Sequence, residues 1–284
     1  MESGLGPRNG IICGMSAVPS DSASRSVTGI LIEHDIGRPQ AQRLAADLNL
    51  PLLDANAADP ASAPGGGILV VTADGLELRS DMGTLRVDYQ AGPQARRVAQ
   101  GSGRKEPMSR ALGLQARLPT RTVFDATAGL CRDAFLLASL GVEVYAVERN
   151  PVVGALVRDA LSRATQFQDA DHSLANLQVQ IGDARNILEQ MPRDSRPEAI
   201  YLDPMFPPRR KSSLVKKEMR ILAELAGGAT SETELANLLE VAMHVALRRV
   251  VLKRPTEAPP TSAVREPDHS VQGGRTTRYD VWMT

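Results

Sequence analysis

The chain has 284 residues, 42% of them hydrophobic, and no apolar run near the length of a membrane helix, which argues against a membrane-spanning helix and against a wholly disordered protein. Its 33 Lys and Arg balance 33 Asp and Glu, so it is not a uniformly basic nucleic-acid-coating protein. The two cysteines, Cys13 and Cys131, make no disulfide framework, and the start lacks a basic, then apolar, secretory signal, so a cytoplasmic setting is expected.

Residues 1–27 are rich in Ser, Gly and Pro and are expected to form a disordered tail. Residues 28–90 read as a small α+β domain. Ile30 to Ile32 is a short strand, and Pro39 to Leu50 carries Leu44 and Leu48 at helical spacing with a proline near its start. Gly67 to Thr72 and Leu76 to Arg79 flank Ala73-Asp74-Gly75 as a hairpin, and Leu85 to Tyr89 alternates as a further strand. Residues 91–118 form a basic connector with a helix over Glu106 to Leu114. Residues 119–284 then alternate. Strands are expected at Thr122–Asp125, Val142–Glu148, Leu177–Ile181, Ala199–Asp203, Arg249–Lys253 and Thr276–Trp282. Helices are expected at Arg132–Leu140, Val152–Phe167, Ser212–Ala226 and Ser231–Leu247. That alternation predicts a doubly wound α/β domain with a parallel sheet and helices on both faces.

The neutral total hides an uneven distribution. Ala91 to Arg121 carries seven cations against Glu106, a net +6, and Pro204 to Arg220 carries six against Glu218, a net +5. Either run alone fits a solvated face. Together they are expected to flank the mouth of one site, where Arg96, Arg97, Arg104, Lys105, Arg209, Arg210 and Lys211 would hold nucleic-acid phosphates.

Ligands of doubly wound sheets bind outside the carboxyl ends of the strands. The first of these strands ends in Asp125-Ala-Thr-Ala-Gly129-Leu, a turn of small residues with a single glycine. A dinucleotide site wants more glycines than this, so a ligand without a pyrophosphate is favoured. Glu148, nineteen positions after Gly129, can accept both ribose hydroxyls of an adenosine moiety. Asp183 can accept from an adenine amine or cap the helix that follows it. The fourth strand ends in Asp203-Pro204-Met205-Phe206. There a carboxylate and a carbonyl can each accept one N–H of a conjugated amine, making its nitrogen more tetrahedral and nucleophilic. Phe206 can stack on a flipped base. The chemistry this suits is methyl transfer to that amine from a sulfonium donor, for which alignment is the main requirement. His34, His172, His244 and His269 show no ligand spacing, so no metal is expected, and Cys131 reads as a small buried side chain.

Five stretches carry a resemblance: Asp125-Ala-Thr-Ala-Gly-Leu with Arg132-Asp133, Glu148-Arg-Asn-Pro-Val-Val, Tyr201-Leu-Asp-Pro-Met-Phe-Pro, Lys211 to Arg220, and Val250 to Pro255. In this order the chain resembles the ribosomal RNA small subunit methyltransferase J family from about residue 28 to its end. The resemblance implies a Rossmann-like class I methyltransferase domain using S-adenosylmethionine. It implies as substrate the N2 amine of a guanine in small-subunit rRNA, free or in an assembling 30S subunit. It also implies cofactor contacts at Arg132, Asp133, Glu148, Arg149, Asp183, Ala184 and Asp203, beside the Asp125 to Gly129 turn. An N-methyltransferase of DNA or of a protein amide shares the Asp-Pro-x-Phe chemistry, and a non-catalytic RNA-binding assembly factor can keep the same fold. The sequence leaves oligomeric state open.

Overall fold

A computed structural model describes residues 27–33, 37–53, 67–101, 103–165, 172–206, 220–222, 225, 229–259, 261 and 264–284. The first strands, β1 (Val27–Ile32), β2 (Leu52–Leu53), β3 (Gly67–Thr72), β4 (Gly75–Ser80) and β5 (Gly83–Leu85), form a mixed sheet in the order β2-β1-β3-β4-β5. Helix α1 (Arg38–Leu48) packs on β1, with a proline in its first turn and Asn49 closing it in left-handed conformation. The β3–β4 hairpin turns where expected, and Thr72 Oγ1 donates to the Gly75 carbonyl at 2.8 Å. The strand expected over Leu85 to Tyr89 is corrected to Gly83–Leu85. Val87 and Tyr89 alternate with polar residues because they bury against the next unit, not because they join a ladder. The Tyr89 ring stacks on Phe135 at 4.6 Å and its hydroxyl donates to the Leu130 carbonyl at 2.9 Å.

Helices α2 (Gly92–Ala99) and α3 (Pro107–Ala111) follow. The sequence did not announce α2, whose eight residues include few apolar ones. Helix α3 is shorter than the expected Glu106 to Leu114, because Gly113 takes φ +77° and turns the chain. A Cβ there would lie 2.5 Å from the Arg249 guanidinium. This basic stretch is also part of the core: Met108, Ala111 and Leu112 are fully buried.

The larger sheet comprises β6 (Thr122–Asp125), β7 (Glu143–Glu148), β8 (Leu177–Ile181), β9 (Ala199–Leu202), β10 (Arg249–Pro255), β11 (His269–Gln272) and β12 (Thr277–Met283), in the order β11-β12-β10-β9-β6-β7-β8. Helices α4 (Arg132–Ser139), α5 (Pro151–Thr165), α6 (Ala184–Glu189) and α7 (Glu232–Val245) connect them, and α7 opens with a Ser231–Glu234 capping box. Of the helix expected over Ser212 to Ala226, Arg220–Leu222 and Leu225 are helical, and the rest lies outside the described residues. Strands β6 to β10 are parallel, as expected. The last pair corrects the all-parallel expectation, because β12 runs antiparallel to β10, and β11 to β12. A four-residue link joins β11 to β12, too short for the crossover that a parallel neighbour needs. The chain winds outward from β6 to β8, then resumes at β9 on the other side of β6. The strand order therefore reverses between β6 and β9, which opens a crevice at their carboxyl ends.

One hydrophobic cluster runs through both sheets. It joins Leu69, Leu76 and Leu78 of the small sheet to Leu136 of α4 and Val153 and Leu156 of α5. Asp159 of α5 fastens this seam. It accepts from the Leu76 amide at 3.0 Å, from Arg163 Nε at 2.9 Å and from Gln40 Nε2 at 3.2 Å. Its side chain is only 8% exposed, so Asp159→Ala strands the buried Leu76 amide and takes the counter-ion from the half-buried Arg163. The variant is expected to lose about 2–3 kcal/mol of unfolding free energy in a urea titration.

Candidate active site

A cavity of about 510 Å³ occupies the crevice at the strand-order reversal. Its floor is the turn after β6. The Ala126 amide donates to the Tyr201 carbonyl (2.9 Å) and the Ala128 amide to the Val147 carbonyl (3.0 Å), so the turn is strung across the ends of β9 and β7. Gly129 and Cys131 both take left-handed backbone, at φ +53° and +51°. Gly129 faces open space, where an added Cβ would meet nothing within 4 Å. Cys131 is buried, and burial pushes its thiol pKa well up, so it is an inert side chain.

The buried Asp125 carboxylate accepts the Thr127 amide at 3.1 Å. Burial pushes its pKa to about 8; the Thr127 amide opposes the rise, and Asp133, Asp203 and Glu148 add to it. Glu148, at the end of β7, is gripped by two backbone amides: Gly129 donates to Oε2 at 2.8 Å and Asn150 to Oε1 at 2.7 Å. Burial raises its pKa while those amides pull it back. Each carboxylate oxygen keeps a lone pair for a further donor. Asp183 caps α6, accepting the Arg185 and Asn186 amides at 2.8 and 3.2 Å, and Asp183 and Ala184 also line the cavity.

Asp203 leaves β9 with its amide donating to Thr127 Oγ1 at 2.6 Å, which ties the fourth strand end to the first turn. Its Oδ2 receives Lys253 Nζ from β10 at 2.6 Å. Lys253 also stands 3.4 Å from Asp133 Oδ2, an oxygen that accepts the Tyr201 hydroxyl at 2.9 Å. Asp133 Oδ1 pairs with Arg97 Nη1 at 2.8 Å, and Arg97 in turn grips both carboxylate oxygens of Glu106. Burial would raise the Asp133 pKa, but Lys253 and Arg97 outweigh it and the net shift is downward. Burial raises Asp203, with Lys253 opposing and Asp133 adding to the rise.

The structure gathers the expected Asp125, Gly129, Arg132, Asp133, Glu148, Arg149, Asp183, Ala184, Asp203 and Pro204 around this cavity. Phe206 is not in its lining; the half-buried ring packs against the cluster that holds Leu235 and Leu239, and Met205 faces the cavity instead. Arg97 turns inward to Asp133, while Arg96 stays exposed on α2. Neither Arg104 nor Lys105 lines the cavity. Arg104 donates to the carbonyl of Leu140, just past the far end of α4, about 12 Å of helix from Arg132. Arg209, Arg210 and Lys211 lie outside the described residues. Lys253, Thr127 and Tyr201 were missed as site residues. A signal for Lys253 existed: one ammonium directly following the apolar run Val250-Val251-Leu252 of a central strand needs a buried partner. Among the described residues, no helix is long and apolar enough to cross a membrane, and no group of three or more His, Cys, Asp or Glu side chains is placed to hold a metal ion.

Comparison with known proteins agrees with this architecture. A family profile described as putative SAM-dependent methyltransferase matches residues 60–284. The ribosomal RNA small subunit methyltransferase J of Thioalkalivibrio sulfidiphilus is 43% identical over 252 residues, 87% of this chain and 94% of that protein. Its counterpart in Nitrosococcus oceani is 41% identical over 248 residues, 86% of this chain and 93% of that protein. A crystal structure of a SAM-dependent methyltransferase from Neisseria gonorrhoeae superposes with a TM-score of 0.66 at 28% identity, covering 90% of this chain and 96% of that one. The chain belongs to the ribosomal RNA small subunit methyltransferase J family of SAM-dependent methyltransferases.

Proposed function

We propose that this protein transfers a methyl group from S-adenosylmethionine to the exocyclic N2 amine of a guanosine in small-subunit rRNA, free or in an assembling 30S subunit, in the cytoplasm. The observation that carries the reading is the placement of Asp203-Pro204 and Glu148 on one cavity, at the ends of the two strands that flank β6. Several features fit the cofactor. The cavity volume lies within the ~300–1,000 Å³ of small-molecule sites. Its carboxylates Glu148 and Asp203 suit a cationic ligand, and its floor has a single glycine rather than a phosphate cradle.

On this reading Glu148 receives the ribose hydroxyls, Asp183 or the amides beside it meet the adenine, and the Gly129 turn bears against the amino-acid end. The bound cofactor supplies a methyl on a sulfonium, an activated leaving group. Asp203 and the Pro204 carbonyl each accept one N–H of the target amine, orient its lone pair toward that methyl and lessen its conjugation with the ring. As the N–C bond forms and the C–S bond breaks, the sulfur keeps the electron pair. The nitrogen becomes strongly acidic and releases its proton to Asp203. The exposed Arg96 and the cations Arg209, Arg210 and Lys211, which follow Phe206 in sequence, are assigned to RNA phosphates.

Mass spectrometry of rRNA nucleosides from cells with and without the gene provides the test. Loss of one methylguanosine from small-subunit rRNA, restored by the gene, is expected. An unchanged methylguanosine content overturns the reading.

A further inference from the structure

Lys253 is placed where an ammonium is hard to keep. Its side chain is 28% exposed, on a strand whose preceding residues Val250, Val251 and Leu252 are fully buried. The pairing of Leu252 with Leu202 brings it beside Asp203, and the pairing with β12 sets it opposite Tyr279. Two carboxylates face it, but they are not equivalent. Asp133, at 3.4 Å, already has Arg97 as a counter-ion and the Tyr201 hydroxyl as a donor. Asp203, at 2.6 Å, has no other side-chain donor among the described residues. The contacts form a chain of alternating sign from Glu106 through Arg97, Asp133 and Lys253 to Asp203. Within it the charge of Asp133 is matched by Arg97, and the ammonium is left to Asp203.

That pairing also divides the labour between the two oxygens of Asp203. Oδ2 is taken by Lys253, and no hydrogen bond reaches Oδ1 among the described residues. We propose that Lys253 is a positioning residue for methyl transfer: it holds Asp203 as an anion with Oδ2 pinned, so that Oδ1 is the oxygen that accepts the target amine. This rests on the reading that Asp203 receives that amine.

The groups around Asp203 are Lys253 from β10, Asp133 from α4, Asp125 from β6, Tyr201 from β9 and Tyr279 from β12, with Arg97 of α2 behind Asp133 and Glu148 of β7 on the same cavity. Burial and Asp133 raise the proton affinity of Asp203, and Lys253 is the cation that opposes them. With the ammonium gone, the carboxyl takes up a proton nearer neutral pH. A protonated Asp203 donates where it must accept, so activity on the acid side is lost at higher pH than in the wild type.

The experiment measures kcat/KM against pH, with labelled S-adenosylmethionine and small-subunit rRNA from a strain deleted for the gene, for the wild type, Lys253→Met, Lys253→Gln and Lys253→Arg. The acid limb is expected to move up by about one pH unit or more in the Met and Gln variants and to stay within a few tenths in the Arg variant. A uniform loss of rate with an unmoved limb overturns the proposal, since a merely structural lysine would give that result. The carboxyl carbon of Asp203, titrated by NMR in the protein alone, gives a second readout that does not depend on the RNA. An Asp203 titration that is unchanged in Lys253→Gln overturns the proposal, and an upward move supports it. If the wild type transfers no methyl to this RNA, the functional reading fails while the NMR titration still decides the role of Lys253.

Discussion

Asp203→Ala is expected to cut methyl transfer about a thousandfold while leaving the protein folded and able to bind its cofactor. An exocyclic ring amine is a weak nucleophile because its lone pair is shared with the ring, and the variant removes the stronger of the two acceptors proposed to correct this. The Pro204 carbonyl remains, which sets a floor of residual activity. The fold survives because Asp133 keeps Arg97 and the Tyr201 hydroxyl, while Lys253, deprived of its closer partner, still has water at a side chain that is 28% exposed and Asp133 at 3.4 Å. The melting temperature should therefore move by less than about 5 °C. Single-turnover transfer at saturating cofactor, with a melting curve on the same sample, checks both halves. Turnover near that of the wild type would remove Asp203 from the reaction.

Glu148→Ala should act on the other substrate. The carboxylate already holds the amides of Gly129 and Asn150, and those bonds fix its remaining lone pairs in direction. Two charge-assisted hydrogen bonds to ribose hydroxyls, at roughly 1.5 kcal/mol or more each, predict a cofactor Kd about 100-fold weaker. The same truncation leaves two turn amides without their acceptor and costs about 2 kcal/mol of stability. Glu148→Gln does not rescue it, because one end of the amide is a donor and meets an amide that is also a donor. Calorimetry with S-adenosylmethionine reads the affinity; a Kd within threefold of the wild type would show that the ribose sits elsewhere.

The strand ends were legible because two simple periodicities locate them. Apolar runs bounded by helix starts fix where β6, β7, β8 and β9 stop, and in a doubly wound sheet those stops face one crevice. Asp125, Glu148, Asp183 and Asp203 therefore converge as the sequence implied. What the sequence hid depends on contacts between distant segments. Arg97 looked like one more solvated cation until the fold brought Asp133 to it. Arg104, seven positions later, lies beyond the other end of α4, so a charged run cannot be assigned to one face without the path of the chain. Phe206 read as a stacking ring, but a half-buried aromatic beside Leu235 and Leu239 finds apolar cover first. Helix α2 carries too little apolar periodicity to announce itself, and what fixes it is external: Gln94 donates to the Arg132 carbonyl at 2.7 Å.

The apolar cluster common to both sheets limits how this architecture can be recombined. Leu69, Leu76 and Leu78 share one cluster with Ala41 of α1 and with side chains of α4 and α5, so the interior of the small sheet is continuous with that of the larger one. The amino-terminal sheet is thus not an interchangeable module. A graft with its breakpoint near residue 90 would sever the Asp159 anchorage and expose a greasy seam on each half, so a working chimera must inherit α5 together with the strands that rest on it.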